Sequence, residues 1–280
     1  MDLFSQVSFE CSKLITKRYS TSFSLGIRMF SKELRQPIYA IYGFVRFADE
    51  IVDTFHDKDK ADLLSEFRKE TFKAINNQIS LNPVLHSFQQ VVNAYSIDQE
   101  LIHAFLDSMQ MDLDKTIYFD ESDYKKYIFG SAEVVGLMCL RVFLRDNGNS
   151  EEYEKLKPFA CALGSAFQKI NFLRDMKSDY EERGRVYFPG INFKHFTEND
   201  KKAIEDDIQK EFSESFYGIK QLPNSSRLGV YCAYKYYINL FYKIKGLPAA
   251  IITERRIRVS DKRKLYLLTT SAFQNHFGLL

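Results

Sequence analysis

Two pairs of aspartates, each set four residues apart, are the side chains of this sequence best suited to chemistry: Asp49 with Asp53, and Asp175 with Asp179. Residues four apart on a helix lie one above the other, so each pair puts two carboxylates on one face. Extending the stripes backwards adds Tyr42 and Arg46 to the first, and Gly164, Gln168 and Asn171 to the second. Like charges so placed cost about 0.2–0.5 kcal/mol in an isolated helix, and more if partly buried. A divalent cation removes the conflict, because Mg²⁺ takes oxygen ligands and shares its shell with phosphates and water. Two such faces across a cavity could hold Mg²⁺ ions around a diphosphate. The alternative for either pair is an exposed charged face, which is how Asp57, four residues beyond Asp53, is read. Context separates them: Asp49 and Asp53 end a strongly apolar helix (IYAIYGFVRFA), and both stripes carry further polar groups.

A basic complement accompanies the acids. Arg46 lies one turn before Asp49, Arg174 adjoins Asp175, Arg185 and Tyr187 follow in a loop, and Arg255, Arg256 and Arg258 cluster later. Arginine suits bidentate phosphate binding; its alternative here is a surface ion pair of little energetic weight. Other chemistries lack their motifs. The five histidines form no H-x-x-x-H or H-E-x-x-H, and no G-x-S-x-G, G-x-x-x-x-G-K-[ST] or G-x-G-x-x-G occurs, which removes the main support for zinc hydrolase, serine hydrolase, P-loop and Rossmann readings.

The elements that must position these residues are helices. Only 12 Gly and 6 Pro punctuate 280 residues, and apolar residues recur at three- and four-residue spacing. Helices are expected over about 4–18, 34–55, 60–77, 82–94, 98–113, 121–146, 150–180, 198–216, 224–246 and 262–276, with prolines near first turns or breaks. Gly184–Asn192 reads as a loop. No linker divides the chain, so one domain over 1–280 is expected. The 45% hydrophobic and 27% charged composition excludes disorder. A net charge of +2 argues against nucleic-acid binding by bulk charge. No apolar run reaches the roughly 18 residues of a membrane span, and no signal-peptide layout opens the chain. Four scattered cysteines read as core thiols of a reducing compartment. The 25 Phe and 17 Tyr build either an aromatic core or the wall of a cavity for a long apolar ligand.

In order along the chain, these residues resemble the squalene and phytoene synthase family. Tyr19-Ser20-Thr21-Ser22-Phe23 is similar to its first segment, and Tyr42-x-x-x-Arg46-x-x-Asp49-Glu50-x-x-Asp53 to its first aspartate motif. Met111-Asp112-Leu113 and Tyr127-x-x-Gly130-x-Ala132-x-x-Val135-Gly136 resemble its central segments. The stretch from Gly164 through Gln168, Asn171, Arg174 and Asp175 to Asp179 resembles the second aspartate motif, followed by Gly184-Arg185-Val186-Tyr187-Phe188-Pro189. Tyr236 and Arg256-Ile257-Arg258-Val259 resemble the C-terminal segment.

The resemblance implies an all-α isoprenoid (terpenoid) synthase fold, a helical bundle around a deep central cavity with the acidic motifs facing each other at its mouth. It implies Mg²⁺, replaceable by Mn²⁺, on Asp49, Asp53, Asn171, Asp175 and Asp179. Tyr127 and Arg174 join the aspartates as catalytic residues. Ser20, Ser22, Phe23, Ile27, Tyr42, Arg46, Gln168, Arg185, Tyr187, Tyr236 and Arg256 contact substrate. The implied reaction joins two allylic diphosphates head to head through a cyclopropylcarbinyl diphosphate. Phytoene from two geranylgeranyl diphosphates is favoured, with no NADPH; the runner-up is dehydrosqualene or squalene from two farnesyl diphosphates, and the non-enzymatic alternative is an assembly factor sharing the fold. The chain length resembles a bacterial enzyme, without the C-terminal anchor of eukaryotic squalene synthases. The expected setting is cytoplasmic, with peripheral membrane contact and a downstream desaturase as partner. Gly130, Ala132 and Gly136 either pack helices closely or leave room for a prenyl tail, and Asp112 either supports the site or caps a helix.

Overall fold

The computed structural model describes residues 1–114, 120–144, 150–260, 263, 266, 267 and 269–271; the side chains of Thr21, Ser22 and Ser150 lie outside the description. The elements are α1 (Leu3–Tyr19), α2 (Thr21–Ile27), α3 (Lys32–Asp53), α4 (Lys60–Asn77), α5 (Pro83–Tyr95), α6 (Gln99–Asp114) and α7 (Glu121–Ile128). A π-helical turn (Phe129–Glu133) leads into α8 (Val134–Phe143), followed by α9 (Ser150–Arg183), a 3₁₀ turn (Phe193–His195), α10 (Glu198–Gln221), α11 (Asn224–Lys245) and α12 (Ala249–Glu254). No β-strand occurs among the described residues, so the fold is all-α as expected.

Several helix starts follow from local chemistry. Asp2 accepts from the Ser5 amide at 2.8 Å, Asp59 from Asp62 at 3.0 Å and Asn82 from Val84 at 3.0 Å, with Pro83 in the first turn. Thr197 and Asp200 form a reciprocal capping box on α10. Apolar faces then pack into two cores. One joins α1, α3–α6 and α8 around Phe44, whose ring stacks on Phe88 at 4.0 Å. The other joins α9–α12 around Phe212 and Phe241. The cavity described below lies between them.

Some expectations need correction. The helix expected over 121–146 is interrupted at 129–133, where the π turn inserts an extra residue. A Cβ on Gly130 would stand 2.4 Å from the Ala104 carbonyl oxygen, so this glycine serves close packing against α6 and not tail space. The helices α2 and α12 were absent from the expected set; both are short, at 7 and 6 residues, and short segments carry little periodic signal. Helix α10 runs to Gln221 instead of 216. Pro158 lies inside α9 and Pro37 inside α3, not at breaks. Pro158 is exposed, so the carbonyl it leaves unbonded can be hydrated. The helix expected over 262–276 falls largely outside the described residues; those described there are helical. Among the described residues, no helix is long and apolar enough to cross a membrane.

Candidate active site

The C-terminal halves of α3 and α9 meet at the mouth of one cavity of 1410 Å³. That exceeds the roughly 300–1,000 Å³ common for a single small ligand. With the exception of Ser22, whose side chain is not described, every residue expected to act lines it: Ser20, Phe23, Ile27, Tyr42, Arg46, Asp49, Asp53, Tyr127, Gln168, Asn171, Arg174, Asp175, Asp179, Arg185, Tyr187, Tyr236 and Arg256. Below the polar mouth the wall is apolar, built largely from Val45, Met109, Val135, Leu163 and Phe167, with Phe30 and Phe143 among its rings. Ala132 and Gly136 also line it, while a Cβ on Gly136 would meet the Ala160 carbonyl at 3.2 Å, so that position combines close packing with open space.

At the mouth the carboxylates are tied to arginines. On α3, Arg46 reaches Asp49 at 3.8 Å and Glu50 at 2.6 Å, with its guanidinium 4.5 Å from the Tyr19 ring centre. Tyr42 stacks on Phe23 at 4.6 Å. On α9, Arg174 donates through Nε to Asp175 at 3.0 Å, and Arg256 approaches the same carboxylate at 2.7 Å. Arg183 pairs with Asp179 at 2.9 Å and reaches Asp53 across the mouth at 3.4 Å. Arg185 approaches Asp53 at 3.3 Å and donates to the Asp112 carbonyl at 3.0 Å. The two acidic stripes therefore do face each other, bridged by Arg183 and Arg185. Gly184, at φ +65°, turns the chain between these arginines in a conformation that favours glycine.

Below them, Tyr127 donates to Asp112 at 2.8 Å, and Tyr187 stacks on Phe172 at 4.0 Å. A polar chain crosses the cavity wall: Tyr237 donates to Asn171 at 3.2 Å, Asn171 to Gln168 at 3.3 Å, and Gln168 to Ser131 at 3.4 Å. Sequence reasoning missed Arg183, Tyr237 and Ser131 as site residues. Arg183 carried a signal, one turn beyond Asp179 on the same stripe; Tyr237 and Ser131 carried none. Asp112 is resolved in favour of support: it is buried in α6 against Tyr127 and Arg185.

The electrostatics show crowded negative charge. Burial, with Asp53 and Asp112 nearby, pushes the Asp49 carboxyl up to about 7 against the pull of Arg46. Burial likewise raises Asp112 to about 7, against Arg185 and the Tyr127 hydrogen bond, and Asp179 to about 6, with Asp175 adding to the rise. One oxygen of Asp112 is buried without a hydrogen-bond partner. Hard oxygen donors repelling one another beside a cavity fit Mg²⁺. Among the described residues, no group of three acidic, histidine or cysteine side chains converges to hold a metal. The donor set therefore suits a cation bound by one or two carboxylates and completed by phosphate and water.

Residues 16–263 match the family described as squalene/phytoene synthase. The chain is 24% identical over 280 residues to the phytoene synthase of Pseudescherichia vulneris, covering 91% of this chain and 88% of that one. It is 26% identical over 202 residues to the 4,4'-diapophytoene synthase of Staphylococcus haemolyticus, covering 70% of this chain and 66% of the relative. Its fold is similar to the crystal structure of a dehydrosqualene synthase in complex with ligand, with a TM-score of 0.81, 22% identity and 96% of both chains covered.

Proposed function

The chain belongs to the squalene/phytoene synthase family, and we propose that it joins two geranylgeranyl diphosphates head to head into phytoene, releasing diphosphate. The observation that carries this reading is one large cavity with an apolar interior and a mouth where two carboxylate stripes and the arginines paired with them converge. Asp49, Asp53, Asn171, Asp175 and Asp179 would hold Mg²⁺, or Mn²⁺ in its place. When bound, the cation neutralises charge growing on the departing diphosphate oxygens.

The remaining work falls to the chain's own residues. Arg46, Arg174, Arg185 and Arg256 bind phosphate oxygens and hold the leaving group at the mouth, a task their planar, permanently charged guanidinium suits. Loss of diphosphate leaves an allylic cation in the cavity. The apolar wall keeps water from it, and the faces of Phe23, Phe167 and Phe172 can stabilise it. The second substrate's double bond attacks that cation, and loss of a proton from the resulting tertiary cation closes a cyclopropylcarbinyl diphosphate; this loses its own diphosphate in the same cavity and rearranges. Proton loss then ends the reaction without NADPH. Tyr127, whose hydroxyl donates to Asp112 at 2.8 Å, is held in the cavity lining by that bond.

The C20 substrate is preferred because Ile27 lines the cavity without the bulk of a ring, and a Cβ on Gly26 would meet nothing within 4 Å. The second reading, two farnesyl diphosphates giving dehydrosqualene, is favoured by the similarity to 4,4'-diapophytoene synthase. Incubation with C15 and C20 diphosphates, with and without NADPH, and identification of the hydrocarbon separates them. Phytoene from C20 without NADPH supports the first reading. A C30 hydrocarbon at higher kcat/KM supports the second, and absence of pyrophosphate release from either substrate removes both.

A further inference from the structure

Along α9 the cavity lining runs from Asp179 back to Phe159 and Leu156, so Phe159 stands about 24 Å from Asp175 at 1.5 Å per residue. Helix α8 runs antiparallel beside it. A Cβ on Gly164 would meet the Ala132 carbonyl at 2.9 Å and one on Gly136 the Ala160 carbonyl at 3.2 Å. Continuing that register takes Phe143, at the end of α8, past Leu156 and to the end of the cavity farthest from the carboxylates. Phe30 lies there with it, their ring centres 5.2 Å apart.

The backbone around Phe30, in the turn between α2 and α3, is pinned on every side. The Phe30 amide donates to the Ile27 carbonyl at 3.2 Å, its carbonyl accepts from Arg35 Nε at 2.9 Å, and the Ser31 amide donates to the Ser225 carbonyl, at the start of α11, at 3.0 Å. The ring then lies flush on α11 at Gly229: a Cβ there would stand 2.4 Å from two of its carbons. A glycine inside a helix weakens it relative to alanine, and here the missing side chain is what lets the ring seat. Gly218 on α10 is a different case. Its nearest neighbour is the Cβ of Phe159, at 2.3 Å, which no ring rotation can move, so that contact sets the spacing of α9 and α10.

We propose that Phe30, seated on Gly229, is the floor that sets the longest tail the cavity accepts. The proposal rests on the reading that prenyl tails fill this cavity, and on neither prenyl length in particular. With the backbone pinned, α11 behind the ring and Phe143 beside it, the free direction left to the ring is the cavity that both Phe30 and Gly229 line. A methyl group at 229 drives the ring that way and shortens the space. A smaller side chain at 30 lengthens it, because the ring is replaced by open volume continuous with the cavity. Ile27, a turn nearer the mouth, narrows or widens the wall; Phe30 ends it.

Calorimetric titration of the full chain, in Mg²⁺, with the unreactive C15, C20 and C25 prenyl thiolodiphosphates tests this. Gly229→Ala should lower the C20-to-C15 affinity ratio about tenfold through overpacking. Phe30→Leu should raise the C25-to-C20 ratio about tenfold, since each further CH₂ buried is worth about fourfold. Gly229→Ala combined with Phe30→Leu should return the C20-to-C15 ratio to at least its wild-type value, because the shorter side chain clears the methyl group; a merely structural defect would weaken both lengths alike and would not be rescued. An unchanged C20-to-C15 ratio in Gly229→Ala, or an unchanged C25-to-C20 ratio in Phe30→Leu, would overturn the proposal, and Phe30→Leu decides alone if Gly229→Ala fails to fold. Pyrophosphate release from the ordinary diphosphates is measured alongside. Shifted ratios without release would keep the floor and remove the proposed reaction; release with unshifted ratios would do the reverse. A wild type that binds none of the three analogues overturns both.

Discussion

Replacing Asp112 by Asn should make the cation-free protein more stable above neutral pH and at the same time slow its turnover. The Asp112 side chain is 6% exposed, one oxygen accepts from Tyr127 at 2.8 Å, and the other has no hydrogen bond and lies 3.9 Å from the Arg185 guanidinium. Burial, assisted by Asp53 and Asp179, lifts its pKa from 3.8 to about 7 despite Arg185. Between those values the native state keeps a proton that the unfolded chain has lost. Stability must therefore fall as pH rises through that window and level off above it. At about 1.36 kcal/mol per decade the full rise is worth about 4 kcal/mol; relaxation and water entering from the cavity reduce it, and about 2 kcal/mol is a fair expectation. Asn keeps the shape and does not titrate. Asp112→Asn should then raise Tm by about 4–8 °C near pH 8, at about 2–4 °C per kcal/mol, and by little near pH 3, where both states of the wild type are mostly protonated. Turnover should drop, because a neutral amide holds Arg185 less firmly. Thermal melts by circular dichroism in EDTA at both pH values, with pyrophosphate release measured separately, make the comparison. A variant no more stable than wild type near pH 8 would refute a buried, cation-seeking carboxylate at this position.

Three further outcomes follow from the same geometry. Asp49→Ala and Asp175→Ala should each reduce pyrophosphate release by about 10³-fold or more while leaving the helical circular dichroism intact; near-normal release in both at saturating Mg²⁺ would remove the active-site assignment. Mg²⁺ with pyrophosphate should raise Tm more near pH 8 than near pH 6, because protons compete with the cation at Asp49, Asp112 and Asp179, whose carboxyls are pushed up to about 7, 7 and 6; a pH-independent shift counts against cation binding there. Ile27→Phe should lower the C20/C15 ratio of kcat/KM by about tenfold through overpacking of 1–3 kcal/mol, and an unchanged ratio would leave the chain-length preference without support.

The parts of the site legible in the sequence are those set by local periodicity. Asp49 with Asp53 and Asp175 with Asp179 share a helix face because four residues make about one turn, and the apolar runs before them required burial of the adjoining faces. Helix starts were legible where the cap is chemical, as at Asn82-Pro83 and Thr197. The bridge between the stripes was not. Arg183 reaches Asp53 only because α3 and α9 converge, and Arg185 does so only because Gly184 turns the chain back at the end of α9. Asp112 belongs to no periodic polar stripe; its partners Tyr127 and Arg185 come from distant elements, so its role depends on tertiary structure alone.

The π turn and α1 show two further ways in which pattern falls short. Residues 121–146 read as one helix because their apolar spacing is helical, and 121–143 are helical throughout apart from the π turn at 129–133. The shift in hydrogen-bond register at 129–133 coincides with Gly130 pressed against the Ala104 carbonyl, a contact between helices that no local window contains. In α1 the period also predicts a helix correctly, yet Phe9 alone of its apolar residues is buried, beside Ser5, Ser8, Ser12 and Thr16. The hydrophobicity of a face measures what its burial would gain, about 25 cal/mol per Å²; it does not say that a neighbour is there to bury it. Here the neighbours α3 and α5 accept the serine and threonine face, because small hydroxyls that bond locally permit a closer approach than leucines would. The aliphatic stripe of Leu3, Val7 and Leu14 is left outward as the consequence of that closer packing.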